Sequence, residues 1–371
     1  MKRSLPRSIA FYFVLILNGI AIIGLLASYL AGSISPAAFW PLAFAGLAYP
    51  VMLLLAVCFT VLWAFKRKWK LLVFHIILIA VRADLVAAHL QWGGGEEVGD
   101  GEGIRVMSYN VHMFKAFDMV DNIDPLTTML GNIKAERPHI ACIQEYFSHG
   151  KKNTVKAQKA FDAFTLNKHV HLEGYNSPSG TKYSSGNALA VITGYPILKR
   201  GQLVAANSNS MRCVFSDMLV GDDTIRVYNV HLESMRIKEE DFEAMNQALN
   251  LDDEPDFLHL KSIVRKVRDA FINRANLSNT IAEHIAACPH PVIICGDFND
   301  TPASYSYQRL EKGMKDSFRE AGGGFGVTYA RVPLFRIDNI LFSPHFRAAE
   351  HKVHHWPHSD HYAVSTTLYL D

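Results

Sequence analysis

The sequence predicts an α/β domain carried behind apolar helices that cross a membrane, and three observations lead there. Two uncharged runs, 9–30 and 37–65, open the chain. A glycine-rich acidic stretch, GGGEEVGDGEG at 93–103, separates them from the larger C-terminal part. Beyond it, short apolar segments recur, each emptying into Asn, Glu, His or Asp. Polar side chains delivered to the ends of apolar strands are what an α/β protein presents where it does chemistry.

Each opening run is long enough to cross a bilayer core of about 30 Å. The second is interrupted only by Pro41 and Pro50, which membrane helices tolerate. A signal peptide or a buried core helix would account for the first run alone, but not for two in tandem. A third run, 71–92, is apolar as far as Val81 and then carries Arg82, Asp84 and His89. Charge deep in a bilayer is costly, so Arg82 and Asp84 are expected near an interface or paired with each other. That run either crosses and emerges as an interfacial helix, or re-enters without crossing. Lys2, Arg3 and Arg7 precede the first run, and Lys66, Arg67, Lys68 and Lys70 follow the second. The positive-inside rule puts both ends of that pair in the cytoplasm. With a third crossing, the expectation is a multi-pass protein of the cytoplasmic (inner) membrane whose remaining domain is extracytoplasmic.

The expected organisation is an anchor over 1–92 with two or three transmembrane helices, a flexible linker over 93–103 and a catalytic domain over 104–371. The last part contains 29 Lys and Arg against 30 Asp and Glu, which gives no bulk electrostatic signature for nucleic acid. Five cysteines show no spacing of metal-site or disulfide-framework type. No internal repeat is present.

Taken in order, IRVMSYN at 104–110 alternates like a half-buried strand and ends at Asn110. Residues 126–135 have helical spacing that Pro138 stops, and the apolar strand 140–143 runs into Gln144-Glu145. The basic stretch 151–172 reads as a helix with a loop, and NALAVI at 187–192 as a strand before a Gly-Tyr-Pro turn. Residues 213–220 and 224–231 form a strand pair around Gly221-Asp222-Asp223, and Asn229, His231 and Glu233 share one face of the second by period two. Residues 235–258 read as an acidic loop near the site, and 258–287 as a helix with Lys261, Arg265, Lys266 and Arg268 on a solvated face. The apolar strand 292–295 ends in Gly296-Asp297-Phe298-Asn299, RIDNILF at 336–342 buries Asp338 among apolar neighbours, and Ser359-Asp360-His361 precedes the strand 363–370. A charged residue placed as Asp338 is needs a partner.

No clustered thiols or histidines offer a zinc site, the glycines at 322–324 lack the Lys-Ser/Thr of a phosphate loop, and no G-x-S-x-G elbow occurs. The set is instead carboxylates and amides with two histidines, a hard-oxygen set that suits Mg²⁺ or Mn²⁺. Such ions serve phosphoryl chemistry. His361 is placed to act on water or a phosphate oxygen, with Asp338 holding its ring in one tautomer.

The ordered motifs SYN (108–110), QE (144–145), NVHLES (229–234), GDFND (296–300), RIDNI (336–340) and SDH (359–361) resemble the endonuclease/exonuclease/phosphatase superfamily, the DNase I-like fold. The resemblance spans essentially all of 104–371. It implies a four-layer α/β sandwich, two packed mixed sheets flanked by helices, and Mg²⁺-dependent cleavage of phosphodiesters or phosphomonoesters. It also implies roles. Glu145 is the principal metal carboxylate, with Asn110 and Asp360 completing the metal site. Asp297 positions or deprotonates the attacking water, and Asn299 and His231 contact the scissile phosphate. His361 stabilises the pentacovalent phosphate and is oriented by Asp338. Arg212 falls where some members, such as the tyrosyl-DNA phosphodiesterase branch, place a phosphate-binding basic residue, and HLES echoes that branch. Two departures, Pro138-His139 for the usual Pro-Asp and Thr193-Gly194 for the usual Ser before Tyr-Pro, lie away from the chemistry.

The expected protein is therefore a membrane-anchored Mg²⁺-dependent phosphoester hydrolase, first a phosphodiesterase of nuclease type. The alternatives are a phosphatase or sphingomyelinase-like enzyme acting on phosphorylated lipids or small molecules, and a catalytically silent membrane scaffold. Its expected partners are a phosphoester substrate, nucleic acid or a phospholipid head group, and the membrane itself. A transporter is disfavoured by few helices and no repeat.

Overall fold

Strand alternation decides the architecture, because each central strand buries both of its faces. In IRVMSYN, Val106 points into a layer shared with a second sheet, while Met107 and Tyr109 point into a layer shared with a helix. The computed structural model describes residues 7–93, 102–114, 125–146, 162–164, 168–174, 188–205, 212–237, 240–241, 243–244 and 257–371. Most of the linker and most of the acidic stretch 235–258 fall outside them.

One sheet runs β13 (Phe346–His354), β14 (Ala363–Leu370), β2 (Ile104–Asn110), β3 (Ile140–Tyr146), β5 (Ala188–Thr193) and β4 (His169–Gly174). The other runs β10 (Lys315–Asp316), β12 (Asp338–Phe342), β9 (Val292–Asp297), β8 (Asp223–His231), β7 (Cys213–Val220) and β6 (Ile197–Leu203). Each sheet is antiparallel except for one central parallel pair, β2 with β3 and β8 with β9. Val106, Ile140, Cys142 and Val191 of one sheet meet Val214, Val227, Ile293 and Ile340 of the other. A helix at Pro125–Ala135 covers the first sheet with Leu126, Met129, Leu130 and Ile133. Long helix Phe257–Ala286 and short helix Tyr305–Glu311 cover the second with Leu277, Ile281, Tyr307 and Leu310. The expected four-layer sandwich is the observed one.

Where the structure departs from the sequence reading, edge strands are the cause. Of the helix and loop expected within 151–172, residues 162–164 are helical, and the stretch ends in β4, which pairs with β5. Strands β6 and β13 were not anticipated: β6 is largely solvent-exposed, and its Lys199-Arg200-Gly201-Gln202 shows no apolar period.

Before the sandwich come α1 (Arg7–Ala31), α2 (Pro36–Phe39), α3 (Pro41–Phe65), α4 (Trp69–Ala80) and α5 (Ala83–Ala87). Within α1 and α3, Phe11–Ala31 and Pro41–Phe65 are long and apolar enough to cross a membrane. The third apolar run is not one helix. It breaks between α4 and α5, where Arg82 and Asp84 form the expected pair at 2.8 Å, and ends as β1 (Leu90–Trp92). Strand β1 pairs with β11 (Gly323–Phe325), a segment between β10 and β12.

The helices are also built into the sandwich. A proline at position i removes the N–H that would bond the carbonyl at i−4. Pro50 inside α3 therefore leaves the Gly46 carbonyl without its helical donor, and the buried hydroxyl of Thr301, two residues beyond Asn299, donates to it at 2.8 Å. The absence of a side chain at Gly46 permits the approach: a Cβ there would lie 3.3 Å from the Ala303 carbonyl oxygen and 2.9 Å from the Ala31 methyl. Phe44 packs edge-on against Phe271 of the long helix, with ring centroids 5.1 Å apart.

Thr301→Val keeps the shape of this contact and removes its donor, leaving a buried carbonyl unpaired at a cost of about 1–3 kcal/mol. The expected result is a lowered thermal midpoint for the detergent-solubilised full chain, with Thr301→Ser close to wild type. Equal midpoints for Val and Thr would mean that the hydroxyl does not hold the helices to the sandwich.

Candidate active site

The C-terminal ends of the two parallel pairs converge. Asn110 and Glu145 arrive from β2 and β3, and His231 and Asp297 from β8 and β9. Asn110 Nδ2 donates to Asp297 Oδ2 at 3.0 Å and lies 3.5 Å from Glu145 Oε1, so residues 187 positions apart in the chain share a hydrogen bond. His231 Nε2 lies 3.5 Å from Asp297 Oδ2 and 3.7 Å from Glu145 Oε1.

This meeting is fixed by a buried polar bridge between the sheets. Asn229 Nδ2 donates to the carbonyls of Ile143 (3.0 Å) and Ala190 (2.9 Å), and its Oδ1 accepts from Gln144 Nε2 at 2.7 Å. Gln144 Nε2 also reaches Ser108 Oγ at 3.1 Å. The sequence places Asn229 as a face-mate of His231 and Gln144 as a polar strand end, both inside the quoted motifs but with no role assigned. Their work is to clamp one sheet to the other one or two residues before the site.

Backbone strain marks the same place. Glu145 has φ 53° at a bulge where β3 slips register against β5, and His112 (φ 43°) and Asn299 (φ 51°) are also left-handed. Such conformations in residues other than glycine cost free energy and gather at functional sites. Gly296 is required for a different reason, since a Cβ there would sit 1.9 Å from the Val230 carbonyl oxygen of the paired strand.

Asp297 is completely buried and accepts from the Asn299 backbone N–H (2.8 Å) and side-chain amide (2.9 Å). Burial pushes its carboxyl up to about 7, against the pull of nearby His361. His361 Nδ1 lies 3.0 Å from Asp338 Oδ2, and its Nε2 lies 3.8 Å from Asp297 Oδ2. Burial disfavours the His361 imidazolium, but Asp338 and Asp297 outweigh it and raise the ring to about 10. Burial, with Arg212 and His361 nearby, drives His231 well the other way, so one histidine is held charged and the other neutral. Thr328 Oγ1 accepts from the Asp338 N–H at 3.0 Å, and the Tyr329 ring lies 5.1 Å from that of His361. Ser359 Oγ donates to the Asn110 carbonyl at 2.7 Å and accepts from the His361 N–H at 3.2 Å, which ties the SDH segment to the end of β2.

Beside this centre lie further carboxylate oxygens. Asp360 Oδ1 is buried and accepts no hydrogen bond among the described residues, with His112 Nδ1 3.2 Å away; the same nitrogen lies 3.9 Å from Glu145 Oε2. Arg331 Nε lies 3.4 Å from Asp360 Oδ2. Asn110 Oδ1 accepts from the His112 N–H at 3.0 Å, so the same histidine touches Asn110, Glu145 and Asp360, the three residues expected from the sequence to hold a cation. A tighter group, Asp297, Asp338 and His361, has ligand atoms within 4.8 Å of one another. There Asp338 Oδ2 is already engaged by the imidazole, so the latter group has the form of a hydrogen-bonded acid–base array.

Two sequence-predicted residues are placed differently from the rest. Arg212 is buried, pairs with Glu233 at 2.8 Å, and accepts through its carbonyl from the His231 N–H at 2.8 Å. The Asn299 amide is engaged with Asp297 and the Leu232 carbonyl. Three contributors carried no sequence signal: His112, Thr328 and Arg274. The fully buried guanidinium of Arg274 donates to the Asn299 and Glu233 carbonyls and lies 3.3 Å from Asp300, joining the two loops that follow β8 and β9.

The profile of the Endonuclease/Exonuclease/phosphatase family matches residues 107–361, and that of a family described as a domain of unknown function matches 11–82. No curated protein matches the chain. Among solved structures, an endonuclease/exonuclease/phosphatase from Beutenbergia cavernae is similar with a TM-score of 0.51 and 18% identity, over 73% of this chain and 72% of that one. The human Nocturnin catalytic domain, solved with a bound sulfate anion, gives 0.51 and 14% over 74% and 97%. A mannosyl-6-phosphatase from Bacteroides thetaiotaomicron gives 0.52 and 16% over 72% and 100%. At these identities the likeness is one of fold.

Asn229→Ala removes the amide that pairs with two carbonyls and with Gln144, at an expected cost of about 3 kcal/mol. A lowered thermal midpoint together with lost phosphoester hydrolysis is the expected result. An unchanged midpoint would show that the sheets are held in register without it.

Proposed function

Because this chain belongs to the Endonuclease/Exonuclease/phosphatase family, we propose that it is a divalent-metal-dependent phosphoester hydrolase anchored in a membrane by its N-terminal helices. The observation that carries the proposal is the pairing of a buried carboxylate held near neutrality, Asp297, with a histidine held protonated, His361, 3.8 Å apart. Both groups are raised above their ordinary values, yet the carboxyl ionises near 7 while the imidazolium persists to about 10, and that gap suits them to divide base and acid work.

In this reading Asp297, oriented by Asn110 and Asn299, accepts the proton of the attacking water. The His361 imidazolium, locked by Asp338, offers Nε2–H to the phosphoryl oxygens as negative charge builds on them. His231 and Asn299 line the phosphate position, and Arg212 acts through Glu233 to hold the loop that follows His231. Glu145, Asp360 and Asn110 would hold Mg²⁺ or Mn²⁺, which would supply Lewis-acid neutralisation of phosphoryl charge. The anchor comprises residues up to 92, with the third run completing a broken crossing from the basic end of α3 to the sandwich, so that the catalytic domain lies opposite Lys66–Lys70 and outside the cytoplasm.

A nuclease-type phosphodiester is the first substrate on the motif pattern. A phosphoester at the membrane surface is the second, favoured by the docking of α3 onto the loop that carries Asp297 and Asn299.

The test is hydrolysis by the full chain of bis-p-nitrophenyl phosphate, p-nitrophenyl phosphate, short DNA and RNA, and phospholipid, with Mn²⁺ binding measured by titration calorimetry. Asp297→Asn is expected to lose two to four orders of magnitude in kcat, about the range for a general base. Glu145→Ala is expected to weaken Mn²⁺ binding. Full activity in both variants would remove the site from these residues.

The pH dependence has a definite sign. Activity rises as Asp297 ionises through about 7 and falls as His361 loses its proton near 10, and a bound cation moves the lower limb to more acid pH. His361→Gln abolishes the upper limb. A rate that keeps climbing above pH 10 in the wild type would show that the imidazolium is not used.

A further inference from the structure

The long helix over Phe257–Ala286 does two jobs along its length. Its C-terminal half covers the second sheet through Leu277 and Ile281. Arg274 marks the level at which the strands end, because it bonds the loops that follow β8 and β9. The residues before Arg274 therefore run on past the catalytic end of the sandwich, by about 25 Å at 1.5 Å per residue. Over that projection Ile263, Val267 and Phe271 pack against Ala43 and Leu47, in the first two turns of α3. Met235, Ile237 and Ala244 join that cluster, and His259 and Lys266 pair with Asp241, while a further face points outward. Phe257 is 74% exposed, Leu258 82% and Val264 43%.

Those apolar side chains border a groove of about 440 Å³ lined by Trp40, Leu258, Lys261, Ser262, Val264, Arg265 and Arg268. Arg268 pairs with its neighbour Asp269 at 2.7 Å, while Lys261 and Arg265 have no ion pair among the described residues. The acidic run at 252–256 lies outside those residues. Trp40 sits at the start of α3, and exposed Phe39 precedes it. Aromatic residues at a helix end, large exposed apolar side chains and Lys or Arg within one helical turn make up the composition of a surface that lies in a lipid–water boundary. The long cationic stems leave the charge at head-group level while the apolar tips descend.

We infer that the projecting half of this helix is a second membrane contact, in which Phe257 and Leu258 enter the interfacial layer and Lys261 and Arg265 meet lipid phosphates. This rests on the membrane reading of α1 and α3. The occupant is the head-group layer of the bilayer that holds those helices, because the groove is continuous with Trp40 at the N-terminal start of α3. The consequence is an active site that opens at the lipid–water boundary, beside the point where the anchor grips the Asp297 loop.

The experiment places single nitroxide labels on the full chain in phosphatidylcholine nanodiscs, in a Cys58→Ser and Cys288→Ser background. Accessibility to oxygen and to a water-soluble nickel complex is then compared. Leu54→Cys on α3 reports the anchor, Leu198→Cys on exposed edge strand β6 reports water, and Leu258→Cys reports the proposed contact. The expected result is oxygen preference at 54 and 258 and nickel preference at 198. A label at 264 should move toward water when Phe257 and Leu258 are both replaced by Asp. Nickel preference at 258 with oxygen preference at 54 would overturn the contact and leave the anchor standing. Nickel preference at 54 would overturn both.

Discussion

The bridge through Asn229 is the interaction on which the site depends. Two sheets packed through Val, Ile and Cys side chains have little to prevent a small slide, because apolar contact is nearly indifferent to direction. Asn229 supplies direction. Its amide satisfies carbonyls on two strands of the opposite sheet while its oxygen takes the Gln144 amide. A shift along the strand axis would leave several buried polar groups unpaired at once, each at about 1–3 kcal/mol. The catalytic side chains lie just beyond: Glu145 follows Gln144, and His231 is two residues past Asn229. Asn110 can reach Asp297 across the sheets because the clamp sits one step behind them.

The same logic explains the proton chemistry. With the sheets fixed, Asp297 is buried among Asn110, Asn299, His231 and His361 and has no water shell to stabilise its charge. His361 keeps its proton because Asp338 from β12 arrives on the other side of the ring. Asp338 in turn is adjacent to Asp297 in the β12–β9 register, so strand pairing itself delivers the dyad. The raised proton affinities of both groups are a consequence of burial plus one well-aimed carboxylate.

Much of this was legible in the sequence because central strands are apolar and their ends are polar. Strands β2, β7, β9 and β14 follow their expected ranges closely, and every motif residue at a strand end reaches the site or its supports. What was not legible has physical causes. β6 and β4 are edge strands whose outer faces need no apolar period. Gln144 and Asn229 look like ordinary polar residues until the second sheet is set against the first. His112 and Thr328 reach the site through loop geometry, and Arg274 from the buried face of the long helix, where a charge has no sequence signal.

The N-terminal segment shows the limit of composition most clearly. Apolarity distinguishes candidate spans but says nothing of what grips their ends. Pro50 reads in the sequence as a tolerated interruption; in three dimensions it frees the Gly46 carbonyl for a catalytic-domain hydroxyl. Ser28 similarly donates to the Ala45 carbonyl from α1, and the Gly326 N–H donates to the His89 carbonyl at the end of the third run. Gly326 is two residues before Thr328, which holds Asp338, and Thr301 is two residues after Asn299, which holds Asp297. The helices thus grip the sandwich at the two loops that orient the acid–base array. A flexible tether needs no such contacts, because a linker alone would keep the helices and the domain together. Buried hydrogen bonds at both loops instead make the helices part of the structure that holds the site in shape.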